Sequence, residues 1–263
     1  MRNFCLTLCY DGTRYRGWQR QGNTGATIQG KVEAVLSRAL AQPVETAASG
    51  RTDAGVHARE QVVSFRGHTE LSCEEILQAL RDYLPEDIGA TALAEAPPRF
   101  HARLSCREKT YLYRVWNSPA PCVFQRRYVC RWPEPLDTAA MEAAGARLCG
   151  KHDFAAFCTA AGKKRSTVRT LREIRILRQG EELRLFFTGD GFLYNMVRIL
   201  AGTLLEVGAG RLAPEDMPDI LAGRDRKRAG PTLPAQGLCL WRVRYGYGTD
   251  PAEAPEEDGP PLF

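Results

Sequence analysis

The apolar positions change period several times along the chain, and each change marks an element. Phe4, Leu6, Leu8 and Tyr10 alternate with Cys5, Thr7 and Cys9. That is the twofold period of a strand, and Asp11-Gly12 ends it as a turn. Ile28, Val32, Val35, Leu36, Ala39 and Leu40 then recur at helical spacing behind Thr27. After Pro43 comes a short segment as far as Ala58, followed by a strand over residues 61–65. Ser72 and Glu75 form a capping box that opens a helix with the stripe Ile76, Leu77, Leu80 and Leu84, stopped by Pro85. A strand over residues 88–93 and the Pro97-Pro98 pair close the first half.

The second half repeats this plan with different residues. A strand over 109–116 leads to a helix from Asp137 through Met141, Ala144 and Leu148 to Gly150. A hairpin over 171–177 and 183–188 turns near Gly180. A very apolar helix over 193–207, a shorter one over 217–221 and a last strand over 238–245 complete it. Each half thus reads as strands interleaved with two helices, an α+β fold with helices on one face of a mainly antiparallel sheet. Two domains are expected, residues 1–104 and 105–248, followed by an acidic, Pro-rich tail over 249–263 whose composition predicts disorder.

Charge changes the picture more than composition does. The whole chain carries +5, but five acids crowd into the tail without a basic residue, so residues 1–248 hold 36 basic against 26 acidic side chains, or +10. Only six of the basic residues are Lys and thirty are Arg. Arginine binds phosphate through a planar fork and stacks on bases, so nucleic acid is the partner this balance favours. No stretch approaches the roughly 18 to 20 apolar residues of a membrane span, and the N-terminal residues lack a basic segment followed by an apolar run. A cytoplasmic protein is expected.

The nine cysteines are odd in number and none pair as C-x-x-C. Reduced thiols are expected, and neither a metal site nor a disulfide framework. His57, His68, His101 and His152 show no ligand spacing. No G-x-S-x-G, Walker or G-x-G-x-x-G signature occurs, so serine hydrolase, P-loop and Rossmann readings have no support.

The densest polar segment runs Ser49-Gly-Arg-Thr-Asp-Ala-Gly-Val-His-Ala58. Its glycines leave room for something large near the backbone, while Arg51 and Asp53, two apart, can share a face. A carboxylate beside a guanidinium stays ionised, which suits a nucleophile; a general acid needs the opposite shift. An ion-paired turn is the structural alternative. Arg198 is the only charged residue over 191–205, and a buried charge there requires an anionic partner: Asp53, an RNA phosphate, or another acid. Tyr111 and Tyr113 share one face of their strand; that is either core or a platform for stacking a base. Basic residues cluster around Arg14 and Arg16, interleaved with Tyr15 and Trp18, around Lys163, Lys164, Arg165 and Arg169, and over 224–228. Three such clusters on a positive body predict a surface that follows phosphates.

Five segments in order carry a resemblance: Tyr10-Asp-Gly-Thr-Arg-Tyr-Arg-Gly-Trp-Gln19, Gly50-Arg-Thr-Asp-Ala-Gly-Val-His-Ala58, Lys109-Thr-Tyr-Leu-Tyr-Arg114, Phe192-Leu-Tyr-Asn-Met-Val-Arg198 and Gly237-Leu-Cys-Leu240. Over residues 3–246 the chain resembles the bacterial tRNA pseudouridine synthase A family. Tyr15 stands where Phe is more usual. The resemblance implies a homodimer of two-domain subunits, each domain an RNA-recognition-like α/β unit, with an active-site cleft between them. It implies isomerisation of uridine to pseudouridine at positions 38, 39 and 40 of the tRNA anticodon stem-loop, without metal or small-molecule cofactor. Asp53 is then the nucleophile, Arg51 and Arg198 hold its carboxylate, Tyr111 stacks on the target base and Leu238 packs beneath it. Arg14, Arg16, Lys163, Lys164 and Arg165 are expected to contact the RNA backbone. The alternative is a non-catalytic RNA-binding protein of the same fold, which an incomplete set at 51, 53, 111 and 198 would favour. A hydrolytic glycosidase needs a second carboxylate, and none stands out near Asp53.

Overall fold

The structure, a computed structural model, describes residues 1–159 and 166–246. The expected tail over 249–263 and the Lys163-Lys164-Arg165 cluster lie outside the described residues. Two compact units form: Met1–Arg107 together with residues 240–246, and Glu108–Cys239. Sequence order assigns the last strand to the second domain; its contacts from Leu240 on belong to the first unit.

In chain order the first unit holds β1 (Arg2–Tyr10), α1 (Ile28–Ala39), β2 (Thr46–Ala48), β3 (His57–Gly67), α2 (Cys73–Tyr83) and β4 (Ile88–Glu95). The second holds β5 (Glu108–Trp116), β6 (Cys130–Arg131), α3 (Thr138–Leu148), β7 (Gly150–Asp153), β8 (Val168–Gln179), β9 (Glu182–Gly189), α4 (Met196–Gly208) and α5 (Met217–Gly223). The strand β10 (Leu238–Arg244) carries the chain back to the first unit.

The first unit's strands run in the order β4-β1-β3-β10, with β2 paired to β3. β1 is antiparallel to both its neighbours, with Phe4 opposite Phe65 and Leu6 opposite Val63 on β3. The alternation read from the sequence is what buries Phe4, Leu6, Leu8 and Tyr10 together, and Phe4 stacks on Phe65 with ring centroids 4.9 Å apart. Val32 and Leu36 of α1 and Ile76 and Leu80 of α2 supply the rest of that core. Fully burying such a side chain contributes about 1.5–3 kcal/mol. The helix starts lie where the caps predict: Thr27 accepts from the Gly30 N–H, and Ser72 and Glu75 close a reciprocal capping box.

In the second unit the order is β5-β9-β8-β7, antiparallel throughout, with β6 added parallel to β5. The hairpin turns at Gly180, as expected. Several elements differ from the sequence reading, among them β8, which starts at Val168 rather than at 171, and the short strands β2, β6 and β7, which it did not contain. The apolar helix starts at Met196 rather than at 193, because Asn195 adopts a left-handed conformation ahead of it. α3 stops at Leu148, and Gly150, with φ +119°, opens the short strand β7. β3 begins at His57, four residues before the expected start. Among the described residues, no helix is long and apolar enough to cross a membrane.

Candidate active site

The loop between β2 and β3 carries Arg51 and Asp53, and the turn after β1 holds it in place. Both segments belong to the first unit. Gln61 of β3 lies beneath the loop with no exposed surface. Its Oε1 accepts from Ser49 Oγ at 2.7 Å, and its Nε2 donates to the Gly50 carbonyl at 2.8 Å and to Tyr10 Oη at 3.3 Å. Tyr10 Oη also shares a hydrogen bond of 2.8 Å with Thr52 Oγ1. From the other side the Trp18 N–H donates to the Thr52 carbonyl at 3.0 Å, and the Gly55 N–H to the Tyr15 carbonyl at 3.3 Å. The Val56 N–H closes back on the Asp53 carbonyl at 3.1 Å.

Two glycines make this interlock possible. Gly17 has φ +90°, and a Cβ there would meet the Thr52 carbonyl oxygen at 2.7 Å. At Gly12 a Cβ would overlap the Val56 carbonyl oxygen, and the Gly12 N–H donates to His57 Nδ1 at 3.1 Å. The loop is therefore fixed through its backbone, Thr52 is buried, and Asp53 is left half-buried at the bend. Arg51 is exposed and lines a pocket of about 260 Å³ with Gln19, Gln29, His101 and Arg103. Asp53 is not among that pocket's walls.

Tyr111, Arg198 and Leu238 belong to the second unit. Tyr111 lies on β5 opposite Phe187, only 7% exposed, with Phe192 set edge-on against its ring at 5.1 Å and 81°. Arg198 sits in the first turn of α4. Its Nε donates to the Leu233 carbonyl at 2.6 Å, and its Nη1 to Asn195 Oδ1 at 2.8 Å. Asn195 Nδ2 in turn donates to Thr159 Oγ1 at 2.9 Å. Among the described residues of this unit, both hydrogen-bond partners of the guanidinium are neutral oxygens, which orient it without adding a negative charge. Leu238 is buried at the start of β10. The segment before it is tied down by Tyr113, whose hydroxyl donates to the Pro234 carbonyl at 2.8 Å and whose burial pushes its pKa well up. Tyr113 is thus a core anchor on the same strand face as Tyr111.

The basic clusters divide on inspection. Arg14 pairs with Asp87 at 2.7 Å, and Tyr15 Oη donates to the same carboxylate. Arg16 is exposed. The aromatic residues interleaved with them are core: Tyr15 and Trp18 are buried. In the 224–228 cluster, Arg224 pairs with Asp153, and Arg226 donates to the carbonyls of Ala229 and Gly230 and to Thr232 Oγ1. Burial lowers the Arg226 pKa. That run is largely a set of loop ties, where the sequence reading expected phosphate contacts. Sequence reasoning missed Gln61, Asn195 and Leu233. Only Asn195 carried a signal, a residue tolerant of left-handed backbone directly before an apolar helix. The nine cysteines are all free thiols.

A family model described as tRNA pseudouridine synthase matches residues 8–104 and 144–246. The chain is 46% identical over 241 residues to a tRNA pseudouridine synthase A of Moorella thermoacetica, covering 91% of this chain and 98% of that protein. It is also 46% identical over 240 residues to the tRNA pseudouridine synthase A of Geobacillus kaustophilus, covering 90% and 92%. Against the tRNA pseudouridine synthase A 2 of Bacillus anthracis it is 41% identical over 245 residues, covering 93% and 100%.

Proposed function

The chain belongs to the tRNA pseudouridine synthase family, and from that premise we propose that it isomerises uridine to pseudouridine at positions 38, 39 and 40 of the tRNA anticodon stem-loop, with Asp53 as the nucleophile. The observation that carries the reading is the Asp53 loop itself. A network running through Gln61, Tyr10 and Thr52 fixes its backbone, and a carboxylate held that way loses little freedom when it meets a substrate.

The reaction breaks the N1–C1′ bond of the nucleoside, joins C1′ to C5, releases the C5 proton to water and takes up a proton on N1. It is an isomerisation with no net oxidation or reduction. A base inside a helix is out of reach of a carboxylate, so the target uridine leaves the stack first. In this reading Asp53 is the attacking group, Tyr111 is the surface for the flipped base, Leu238 is its apolar floor and Arg198 is the cation that keeps the carboxylate ionised. Arg51, two residues before Asp53, adds to the same positive potential. Covalent attack divides bond cleavage and re-joining into two lower barriers. The enzyme is read as a cytoplasmic homodimer acting on tRNA, with Arg14, Arg16, Lys163, Lys164 and Arg165 on the RNA backbone; Arg14 must then exchange Asp87 for a phosphate.

The test of substrate and position is a set of tRNA transcripts that keep a single uridine at 38, 39 or 40, together with one that keeps none. Pseudouridine is expected at each retained uridine and nowhere in the last transcript. Modification elsewhere in the tRNA, or none at all, overturns the reading.

A further inference from the structure

The pocket beside the Asp53 loop has a chemistry of its own. Its floor includes Gln29, which is buried and fully committed. The Gln29 Oε1 accepts from Gln19 Nε2 at 2.7 Å and from the Arg20 N–H at 2.9 Å, and its Nε2 donates to Glu33 Oε1 and the Thr46 carbonyl. Glu33 lies buried below, taken up by Gln29, Thr46 and Arg20, and no acid is among the lining residues.

The rim is different. His101 Nδ1 accepts from the backbone N–H groups of Arg103 and Leu104 at 3.1 and 3.3 Å. The neutral imidazole therefore carries its proton on Nε2. The guanidiniums of Arg51 and Arg103 are both exposed, and within the first unit neither meets an acceptor among the described residues. Two forks and an imidazole N–H around a cavity of about 260 Å³ form a set of donors with no acid among the lining residues. Paired cations so placed repel each other until an anion joins them, and the planar fork matches a phosphate in particular.

We propose that this pocket seats one backbone phosphate of the RNA, that of a nucleotide flanking the target uridine, with Arg103 and His101 as its ligands beside Arg51. The assignment rests on the tRNA-isomerising function proposed above. Arg51 ties the two places together: it lines the pocket and stands two residues from Asp53. The seated phosphate sets the distance along the RNA strand at which a flipped nucleoside meets the carboxylate.

The experiment uses the full chain and anticodon stem-loop RNAs in which single phosphates are replaced by neutral methylphosphonates. Binding is followed by fluorescence anisotropy over a range of KCl concentrations, for the wild type, Arg103→Gln, Arg103→Lys and His101→Asn. The Asn oxygen of the last variant keeps the backbone acceptor while removing the Nε2 donor. For the wild type, one methylphosphonate next to the target is expected to weaken binding about tenfold. For Arg103→Gln that sensitivity disappears, and the slope of log affinity against log salt falls by about 0.7 to 0.9; Arg103→Lys keeps the slope. Competition by inorganic phosphate, at matched ionic strength, that is lost in Arg103→Gln supports the pocket as the phosphate seat; equal competition against both proteins places the anion elsewhere and overturns the proposal. So does an Arg103→Gln protein of unchanged melting temperature that retains the wild-type slope and the wild-type methylphosphonate pattern. If Arg103→Gln fails to fold, His101→Asn decides by the same pattern. Tritium release from C5-labelled tRNA by the wild type separates the two readings. Release with an insensitive pocket removes the phosphate seat alone, whereas a sensitive pocket without release removes the catalytic function alone.

Discussion

A buried amide left half-paired costs about 1–3 kcal/mol for each stranded group, and Gln61 commits all its polar atoms to the Asp53 loop and Tyr10. Gln61→Leu strands the Ser49 hydroxyl and the Gly50 carbonyl together. The expected outcome is a lower melting temperature and a turnover rate that falls further than tRNA affinity does, measured by calorimetry and steady-state kinetics. A rate equal to the wild type removes the loop's rigidity from the account. Asn195 plays the matching part for Arg198. Asn195→Gly relieves the left-handed backbone at φ +61° but removes the oxygen that orients the guanidinium. Since a hydrogen bond to a charged group is worth about 1.5–3 kcal/mol, kcat is expected to drop on the order of tenfold or more with little change in KM. Asn195→Asp, which keeps the oxygen, restores most of it; equal loss in both variants points to a purely structural role. The sequence marked Asp53, Arg51 and Arg198 by their type and surroundings. Gln61 could not be seen this way, because an amide among other polar residues of a strand reveals its partners only when the strand is paired.

At the scale of elements, β5 and β9 set two like charges opposite each other, Arg114 facing Arg184. Glu182 bridges them, with contacts of 2.7 and 3.0 Å. Burial works against the ionised form of Glu182, and the two guanidiniums overcome it, so its carboxyl sits below the usual value of 4.5. A depressed folded value means that the stabilisation is complete above the unfolded pKa and is lost as pH falls through the folded one. Glu182→Gln is expected to cost about 3–5 kcal/mol at neutral pH, because it leaves buried cations unpaired, and to flatten the fall in melting temperature below pH about 4.5. An acid limb identical to that of the wild type contradicts the bridge. Periodicity predicted the long strands and all five helices because each carries its own pattern. β2, with three residues, and β7, with four, are too short to alternate recognisably and exist through the ladders they extend. The start of α4 was obscured for a related reason: Leu193 and Tyr194 continue the apolar run, and only the backbone at Asn195 shows that the helix has not begun.

For the whole molecule, periodicity is a local signal, and the chain's return to the first unit at Leu240 is not a local fact. The last strand looks in sequence like the natural end of the second half; its backbone nonetheless belongs with β3, where Glu60 accepts from the Val243 N–H at 2.8 Å. The charge reading is coarser still. The excess of +10 over residues 1–248 points to a polyanion, but it cannot separate the arginines tied into loops from those left to meet phosphate. The structure ties Arg226 to the Ala229 and Gly230 carbonyls and the Thr232 hydroxyl, and leaves Arg103 exposed.

The proposed reaction turns on one carboxylate held in place for a flipped pyrimidine, and tritium release from tRNA labelled at C5 of uridine tests it most directly. With Asp53→Asn, release is expected to fall to background, while tRNA affinity and melting temperature remain within experimental scatter of the wild type. Turnover by Asp53→Asn at a rate near that of the wild type would contradict the account, because the nucleophile would then lie elsewhere.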